Sequence, residues 1–323
     1  MNDSGDLQLP ALSATDLMTQ LKGADAAREE MVQGHDQIGG CIALVFTTHL
    51  MADDRHEYIG PLVRAARARA AELGCDVIYC APSQDHWLEA DVVERCVQYG
   101  VSGLMVLGGA DGNPDVLRER WSGLPTVFVE YDTLGDRSAH IGIDNYAAYS
   151  EIVTHLIELG HSKIAHIAGF LDCRVGAERF AGYRATLARM GYPMPPEYVV
   201  SGDFLVQSGY DGMKKLLALD EPPTAVTTAC DVQAVGAIAA LEEAGLRCPE
   251  DVAVTGFDNT IWAETMSPAL TTVRQPGPQI GAAAIDCLAA MIKDPTMDPP
   301  KVILPTELIV RESCGARVLA QRA

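Results

Sequence analysis

The sequence predicts an α/β fold of two Rossmann-like lobes, each built around a parallel sheet. From about residue 42 onward, short apolar runs alternate with segments of helical periodicity, several of which end at a glycine. Strands that alternate with helices favour parallel sheets covered on both faces. The length of 323 residues exceeds what one hydrophobic core usually serves, so two lobes are expected.

The order of the elements predicts how the lobes are connected. In the first part, strands are predicted over 42–46, 76–80, 103–107 and 126–130, and helices over 58–73 and 88–99. Past residue 144, helices are predicted over 147–159, 177–190, 208–219 and 231–244, and strands over 163–168, 198–201, 225–228 and 252–257. The rhythm then breaks, with 269–273 leading to a helix over 280–292 and short strands over 302–304 and 308–310. A return to the first lobe before a finish in the second would explain this break.

Composition and charge exclude several classes of protein. No apolar run reaches the roughly 18 residues that a membrane span needs, and the acidic N-terminus lacks the features of a signal peptide, so a cytoplasmic protein is expected. The net charge of −20 opposes nonspecific attraction to nucleic acid. The nine cysteines are scattered without a Cys-x-x-Cys pair, which favours small buried side chains over a zinc or redox site.

Motifs of common enzymes are not found. The chain has neither a Gly-x-Ser-x-Gly elbow nor a Gly-x-x-x-x-Gly-Lys phosphate loop, and the glycines from Gly108 to Gly112 lack the Gly-x-Gly-x-x-Gly spacing. The spacing of His155, His161 and His166 does not place them on one helix face, where they could share a metal. We therefore expect no catalytic site, cofactor or metal.

The segment around Arg179 is the most informative part of the chain. A predicted strand over 163–168 ends at Gly169, and Arg179 lies on the first turns of the next predicted helix. Ligands of open α/β sheets bind at loops that follow the carboxyl ends of strands. An arginine there offers a rigid fork of donors for hydroxyls, carboxylates or phosphates. Taken alone, Arg179 would be a surface residue of an ordinary helix.

Arg179 belongs to one of five motifs that follow one another along the chain. They are Gly160-His161-x-x-Ile164, Arg179-x-x-Gly182-Tyr183, Asp231-x-x-Ala234-x-Gly236-Ala237, Gly256-Phe257-Asp258 and Leu270-Thr271-Thr272-Val273-x-Gln275-Pro276. Their order and spacing closely resemble the effector-binding core of the LacI/GalR transcriptional regulators, over residues 42–314. The resemblance implies a periplasmic-binding-protein-like fold of type I, with a small ligand in the cleft between the lobes. It also implies a side-by-side homodimer, to which the helices over 58–73 and 88–99 would contribute.

The resemblance places three crossovers between the lobes, near residues 142–144, 273–275 and 304–306. The N-terminal lobe is then expected over 38–143 plus 275–304, and the C-terminal lobe over 144–274 plus 305–323. Residues 1–37 form an acidic tail, with seven acidic residues against Lys22 and Arg28. The first 41 residues show neither the helix-turn-helix pattern nor the basic hinge of the family.

Carried over position by position, the resemblance implies five ligand-binding residues: Arg179, Asp258, Phe204, Tyr58 and Asp144. Arg179 would donate to hydroxyl oxygens, Asp258 would accept from hydroxyl hydrogens, and the two aromatic residues would cover an apolar face. This chemistry suits a sugar or a related polyol. Pairing Arg179 with Asp258 would also limit the cost of burying either charge alone.

Structural roles are the alternatives for several of these positions. Asp258 could cap the turn that follows it, and Phe204 and Tyr58 could belong to the core. Asp144 suits a hydrogen bond that stabilises the hinge better than a ligand contact. Asp231 is expected to cap the helix that it begins.

Two departures from the family bear on the effector. Cys173 lies where purine-responsive members have a ligand-contacting arginine, which argues against an acidic, purine-like effector. Cys230 lies where several sugar-responsive members have asparagine, which leaves the sugar's orientation open.

Three functional classes remain after this comparison. The first is a ligand sensor that acts in transcription. The second is a ligand-binding module that has lost its DNA-binding head and acts through a protein partner. An enzyme on a two-lobe fold is the third, and no motif supports it.

The charge distribution generates a prediction about DNA. Operator binding in this family needs a basic head and hinge, whereas residues 1–41 are acidic and the whole chain carries −20. The 323-residue chain alone is therefore expected not to bind duplex DNA tightly at physiological salt, and contact with DNA would need residues upstream of Met1 or a DNA-binding partner. Fluorescence anisotropy with genomic fragments checks this. Sequence-specific, submicromolar binding by the purified chain would show that it is wrong.

Overall fold

The computed structural model describes residues 40–46, 57–80, 96, 98–108, 123–131 and 136–316. The strands are β1 (Cys41–Phe46), β2 (Asp76–Cys80), β3 (Val101–Leu107), β4 (Thr126–Val129), β5 (Ser138–Ile143), β6 (Ile164–Ile167), β7 (Val199–Val200), β8 (Ala225–Thr228), β9 (Ala253–Thr255), β10 (Thr272–Arg274), β11 (Lys301–Leu304) and β12 (Glu307–Ile309). The α-helices are α1 (Ile59–Glu72), α2 (Asn145–Glu158), α3 (Arg174–Met190), α4 (Val206–Leu217), α5 (Asp231–Glu243), α6 (Ile261–Thr265) and α7 (Gly277–Lys293). The acidic tail over 1–37 and most of the helix predicted over 88–99 lie outside the described residues.

Two parallel sheets form the two lobes. The first sheet has the strand order β11-β5-β4-β3-β1-β2, and the second has the order β7-β6-β8-β9. All neighbouring strands within each sheet are parallel. The buried strand runs explain why the sequence shows apolar stretches rather than strict alternation, because helices cover these sheets.

The chain passes between the two sheets three times. It leaves the first sheet after β5, returns from β10 through α7, which packs against α1, and leaves again between β11 and β12. Strands β10 and β12 pair antiparallel in a small sheet of their own. The predicted fold class, two Rossmann-like lobes joined by three crossovers, is confirmed. The residue boundaries given above for the two lobes stay a prediction.

One strand and one α-helix of the structure, β5 and α6, were not predicted from the sequence. In β5, a serine, a histidine and a glycine interrupt the apolar residues, yet all six residues are buried between β4 and β11. Its partners on both sides therefore decide that it is a strand. Helix α6 has five residues and no side-chain cap, so it is too short to show a periodic pattern.

Candidate functional site

The residues of the candidate site come from the ends of strands and the starts of helices in both lobes. Arg179 lies in the second turn of α3, after the loop that follows β6. Asp258 follows β9, and Gln275 follows β10 at the crossover into α7. From the first lobe, Glu130 follows β4 and Tyr58 precedes α1. Because loops at strand ends converge at one edge of a parallel sheet, residues far apart in sequence meet here.

Arg179 is buried and held by fixed partners. Its side chain is only 6% exposed, its Nε donates to Asn145 Oδ1 at 2.9 Å, and an Nη donates to the carbonyl of Ala229 at 2.7 Å. The guanidinium carbon lies 3.8 Å from the centre of the Phe257 ring. Asp258 Oδ1 is 3.8 Å from the guanidinium, which is an ion pair at longer than hydrogen-bond distance. The packing therefore fixes the direction in which the remaining donors point.

Asp258 occupies a strained backbone conformation beside Arg179. Its φ of 114° lies in the left-handed region that residues other than glycine rarely adopt. Its backbone N–H donates to the carbonyl of Val273 at 2.9 Å, and its Oδ1 accepts a hydrogen bond from Gln275 Nε2 at 2.6 Å. Burial raises the pKa of the Asp258 carboxyl, while Arg179 and Gln275 oppose that rise. The strain indicates that the surrounding contacts hold this carboxylate in a required position.

Asp231 does not cap its helix, so that expectation is wrong. Residue 230 occupies the cap position of α5, and no side chain caps the helix. The Asp231 carboxylate instead accepts hydrogen bonds from the Thr260 backbone N–H at 2.6 Å, from the Thr260 hydroxyl at 3.1 Å and from the Thr272 hydroxyl at 2.5 Å. Through these hydrogen bonds, Asp231 connects the turn after β9 to β10. Burial and the charge of Asp258 raise the pKa of the Asp231 carboxyl.

Glu130 and Asn145 are central residues of the site that were not predicted from the sequence. Glu130 accepts hydrogen bonds from the backbone N–H of Ile143 and from Asn145 Nδ2, each at 2.9 Å. Asn145 in turn accepts from Arg179, so it joins the first-lobe carboxylate to the second-lobe guanidinium. Burial raises the pKa of Glu130 from its ordinary 4.5 to about 7. The only signal in the sequence is that both residues lie beside predicted boundaries, at a strand end and at a crossover.

Two buried polar atoms at the site lack a hydrogen-bond partner among the described residues. They are the hydroxyl of Tyr58 and Oε1 of Gln275. Burial, together with the charges of Glu130 and Asp258, raises the pKa of the Tyr58 hydroxyl, which keeps it a neutral donor. A buried polar atom without a partner costs free energy, so each would gain from a polar group of a bound molecule.

Phe204 and Asp144 have contacts of their own near the candidate site. Phe204 has a φ of 65°, and its ring lies so close to Gly169 that a side chain at 169 would overlap it. The Phe204 ring also lies 5.9 Å from that of Phe170. Asp144 is exposed and caps α2 by accepting from the Ala147 N–H at 2.8 Å. Ligand contact by these two residues stays a prediction.

No group of described side chains could hold a metal ion. His166 is fully buried and lies 3.0 Å from the Tyr149 hydroxyl, while His155 contacts Cys314 and His161 contacts Thr224. Burial lowers the pKa of all three histidines, so they are neutral side chains of the second lobe. Within the described residues, no helix is long and apolar enough to cross a membrane.

Comparison with known proteins identifies the family. A family model described as a periplasmic binding protein-like domain matches residues 153–314. The ribose operon repressor of Escherichia coli (strain K12) is 34% identical over 266 residues, which cover 82% of this chain and 80% of that protein. A LacI transcriptional regulator from a Rhodococcus species superposes with a TM-score of 0.73 at 26% identity, over 84% of this chain and 97% of that one. The chain belongs to the LacI/GalR family.

A second solved structure that is similar to this chain contains a ligand. The transcriptional regulator CelR, in complex with cellobiose, superposes with a TM-score of 0.78 at 28% identity, over 94% of this chain and 91% of that one. These relatives are transcriptional regulators rather than enzymes. They support the interpretation of the chain as an effector-binding core of the LacI/GalR type.

The raised pKa of Glu130 predicts a pH dependence of stability. The folded state holds the Glu130 proton up to about pH 7, whereas the unfolded state loses it near 4.5, so folding loses stability as pH rises through this window. Glu130→Gln should flatten the decrease in melting temperature between about pH 5 and about pH 7.5. Calorimetry measures it, with Glu307→Gln as a control for loss of an exposed charge. Equal slopes in the wild type and Glu130→Gln would contradict the assignment.

Proposed function

We propose that the protein is the sensor core of a LacI/GalR-type transcriptional regulator and binds a neutral sugar or related polyol between its lobes. One observation supports the proposal most directly. Arg179, Asp258 and Gln275 lie together in a buried position, close to the hydroxyl of Tyr58, which has no hydrogen-bond partner among the described residues. The side chains of Arg179 and Asp258 are held by other contacts before a ligand arrives. Such an arrangement lowers the ordering cost of binding.

The chemistry of these groups suits hydroxyls. A sugar hydroxyl both donates and accepts, so it can accept from Arg179 or Tyr58 and donate to Asp258 or to Gln275 Oε1. The guanidinium of Arg179 is already paired with the carboxylate of Asp258 at 3.8 Å. A negatively charged effector would meet repulsion from that carboxylate, which favours a neutral effector.

The relatives point in the same direction. The name of the Escherichia coli repressor refers to the ribose operon, and the CelR structure contains cellobiose. Ribose and cellobiose are therefore the first two ligands to test. Phe204 and Tyr58 would cover the apolar face of a sugar ring, and Asp144 would act at the crossover. No cofactor is proposed.

Three further properties belong to the proposal because the family implies them. They are a side-by-side homodimer, a cytoplasmic location and regulation of transcription through DNA. The alternative is a ligand-binding module that acts through a protein partner. Specific binding of DNA by the chain in the anisotropy experiment described above would exclude this alternative.

Loss of the central guanidinium should weaken binding of the sugar. Arg179→Ala is expected to reduce the affinity for whichever of ribose and cellobiose binds by about 1.5–3 kcal/mol, because charged hydrogen bonds to the ligand are lost. Titration calorimetry measures this, after melting curves have shown that the variant folds. The matched control is Arg184→Ala, which removes an exposed arginine from the same helix.

Two results would contradict the proposal. One is an unchanged affinity of Arg179→Ala for the sugar. The other is a wild-type protein that binds neither these two sugars nor any other in a panel of neutral mono- and disaccharides.

The homodimer is tested separately. Closed two-fold dimers are the commonest assemblies of soluble proteins, and α1 is a candidate contributor from the first lobe. Light scattering at micromolar concentration should give about twice the chain mass of 34.6 kDa. A mass of one chain across that concentration range would contradict the dimer.

A further inference from the structure

An arginine of the second lobe contacts the first lobe beside the first crossover. Arg174 is the first residue of α3, and its Nη1 donates to the carbonyl oxygen of Tyr131 at 3.3 Å. Tyr131 follows β4 in the first lobe. The same oxygen accepts a hydrogen bond from Nδ1 of His140, on β5, at 2.7 Å. The guanidinium of Arg174 therefore lies against a carbonyl group that the first lobe holds in place.

The same guanidinium is connected to the candidate site. Its Nε donates to Glu178 Oε1 at 2.8 Å, one turn further along α3. The other carboxylate oxygen, Glu178 Oε2, accepts from Asn145 Nδ2 at 3.4 Å. Asn145 is the residue that also contacts Glu130 and Arg179. One carboxylate thus joins Arg174 to the amide that links the two lobes at the site.

The energetics of the helix alone do not explain a positive charge at this position. Arg174 lies in the first turn of α3, where the helix dipole favours negative charge. It also precedes Glu178, which is the less favourable order for an ion pair four residues apart. The Arg174 side chain is nonetheless only 18% exposed. Contacts outside the helix must compensate for this placement, and the carbonyl of Tyr131 is one of them.

The backbone next to that carbonyl is strained. Glu130 has a φ of 58°, in the left-handed region that residues other than glycine rarely adopt. Its own carboxylate holds the turn by accepting from the backbone N–H of Ile143 at 2.9 Å. The turn places the Tyr131 carbonyl within reach of both His140 and Arg174. Strain at a contact between the lobes indicates that the surrounding structure requires this position.

We propose that Arg174 and Glu178 form a brace across the first crossover, anchored in the first lobe at the carbonyl of Tyr131, and this proposal rests on the proposed function above. The brace holds Asn145 in place beside Arg179, so it sets the arrangement of the lobes in which the effector binds. Arg174 is a positioning residue, since it acts on the effector site through Glu178 and Asn145.

The ring of His140 gives a readout of the brace that needs no ligand. Burial lowers the pKa of His140, and its hydrogen bond to a backbone carbonyl opposes that change. The positive charge of Arg174, whose Nη1 lies 3.4 Å from Nδ1 of the ring, lowers the pKa further, whereas Glu178 raises it. Lys301 and Glu130 also lie near the ring, and the variants below leave both unchanged.

The first experiment measures the pKa of His140 by NMR on the ligand-free chain with isotope-labelled histidine. The His140 signal is assigned by its loss in His140→Gln. Arg174→Met removes the positive charge and should raise the pKa of His140, whereas Arg174→Lys should keep it close to the wild-type value. Glu178→Gln removes the negative charge and should lower the pKa.

The matched control is Arg184→Met, which removes an exposed arginine from the same helix. It should leave the pKa of His140 unchanged. The brace is wrong if Arg174→Met leaves this pKa at its wild-type value, or if Arg184→Met shifts it as much. Melting curves of each variant establish that the comparison is between folded proteins.

The second experiment adds ribose, and cellobiose in parallel. Arg174→Met should weaken binding of whichever sugar binds by about tenfold, because Asn145 is no longer held through Glu178. Arg174→Lys keeps the charge but lacks the rigid fork that reaches both partners, so it should restore only part of the affinity.

Two outcomes of the second experiment have different meanings. An unchanged affinity in Arg174→Met would show that the brace does not position the effector site. If the wild type binds neither sugar, that result counts against the proposed effector class, and the titration of His140 still decides whether the brace exists.

Discussion

The residues at the centre of this protein are arranged to satisfy the charge and the hydrogen-bond donors of one buried guanidinium group. Arg179 is nearly inaccessible to water, and a buried charge is costly unless its donors find partners. Asn145, the carbonyl of Ala229 and the ring of Phe257 satisfy it from three sides, and Asp258 supplies the opposite charge nearby. The elements that bring these partners are the start of α2, the end of β8 and the turn after β9. The positions of all three are thereby linked to one side chain.

The same requirement extends to the first lobe through Asn145. Its amide donates to Glu130, which also accepts from the backbone at Ile143, so the first crossover is fixed to the end of β4. At the second crossover, Gln275 donates to Asp258. Two of the three crossovers therefore carry side chains that reach the Arg179 network. These contacts connect two crossover segments to the partners of the buried guanidinium.

Much of this arrangement could be predicted from the sequence, and some of it could not. The pairing of Arg179 with Asp258 followed from the motifs, and the structure places the two side chains 3.8 Å apart. The expected helix cap by Asp231 was wrong because Thr260 and Thr272 offer donors from elsewhere in the chain. The ligand roles of Arg179, Asp258, Phe204, Tyr58 and Asp144 all stay predictions, and Asp144 already caps a helix.

The sequence by itself determined the α/β alternation, the two lobes and the place of Arg179 after a strand end. These follow from periodicity and from turn residues, which act over a few neighbouring positions. Only the tertiary structure decided that Glu130, Asn145 and Gln275 meet around Arg179 and Asp258. The partners lie in different elements and both lobes, so strand order and the crossovers bring them together. Local sequence patterns contain no record of such distant pairings, and burial then makes each pairing energetically necessary.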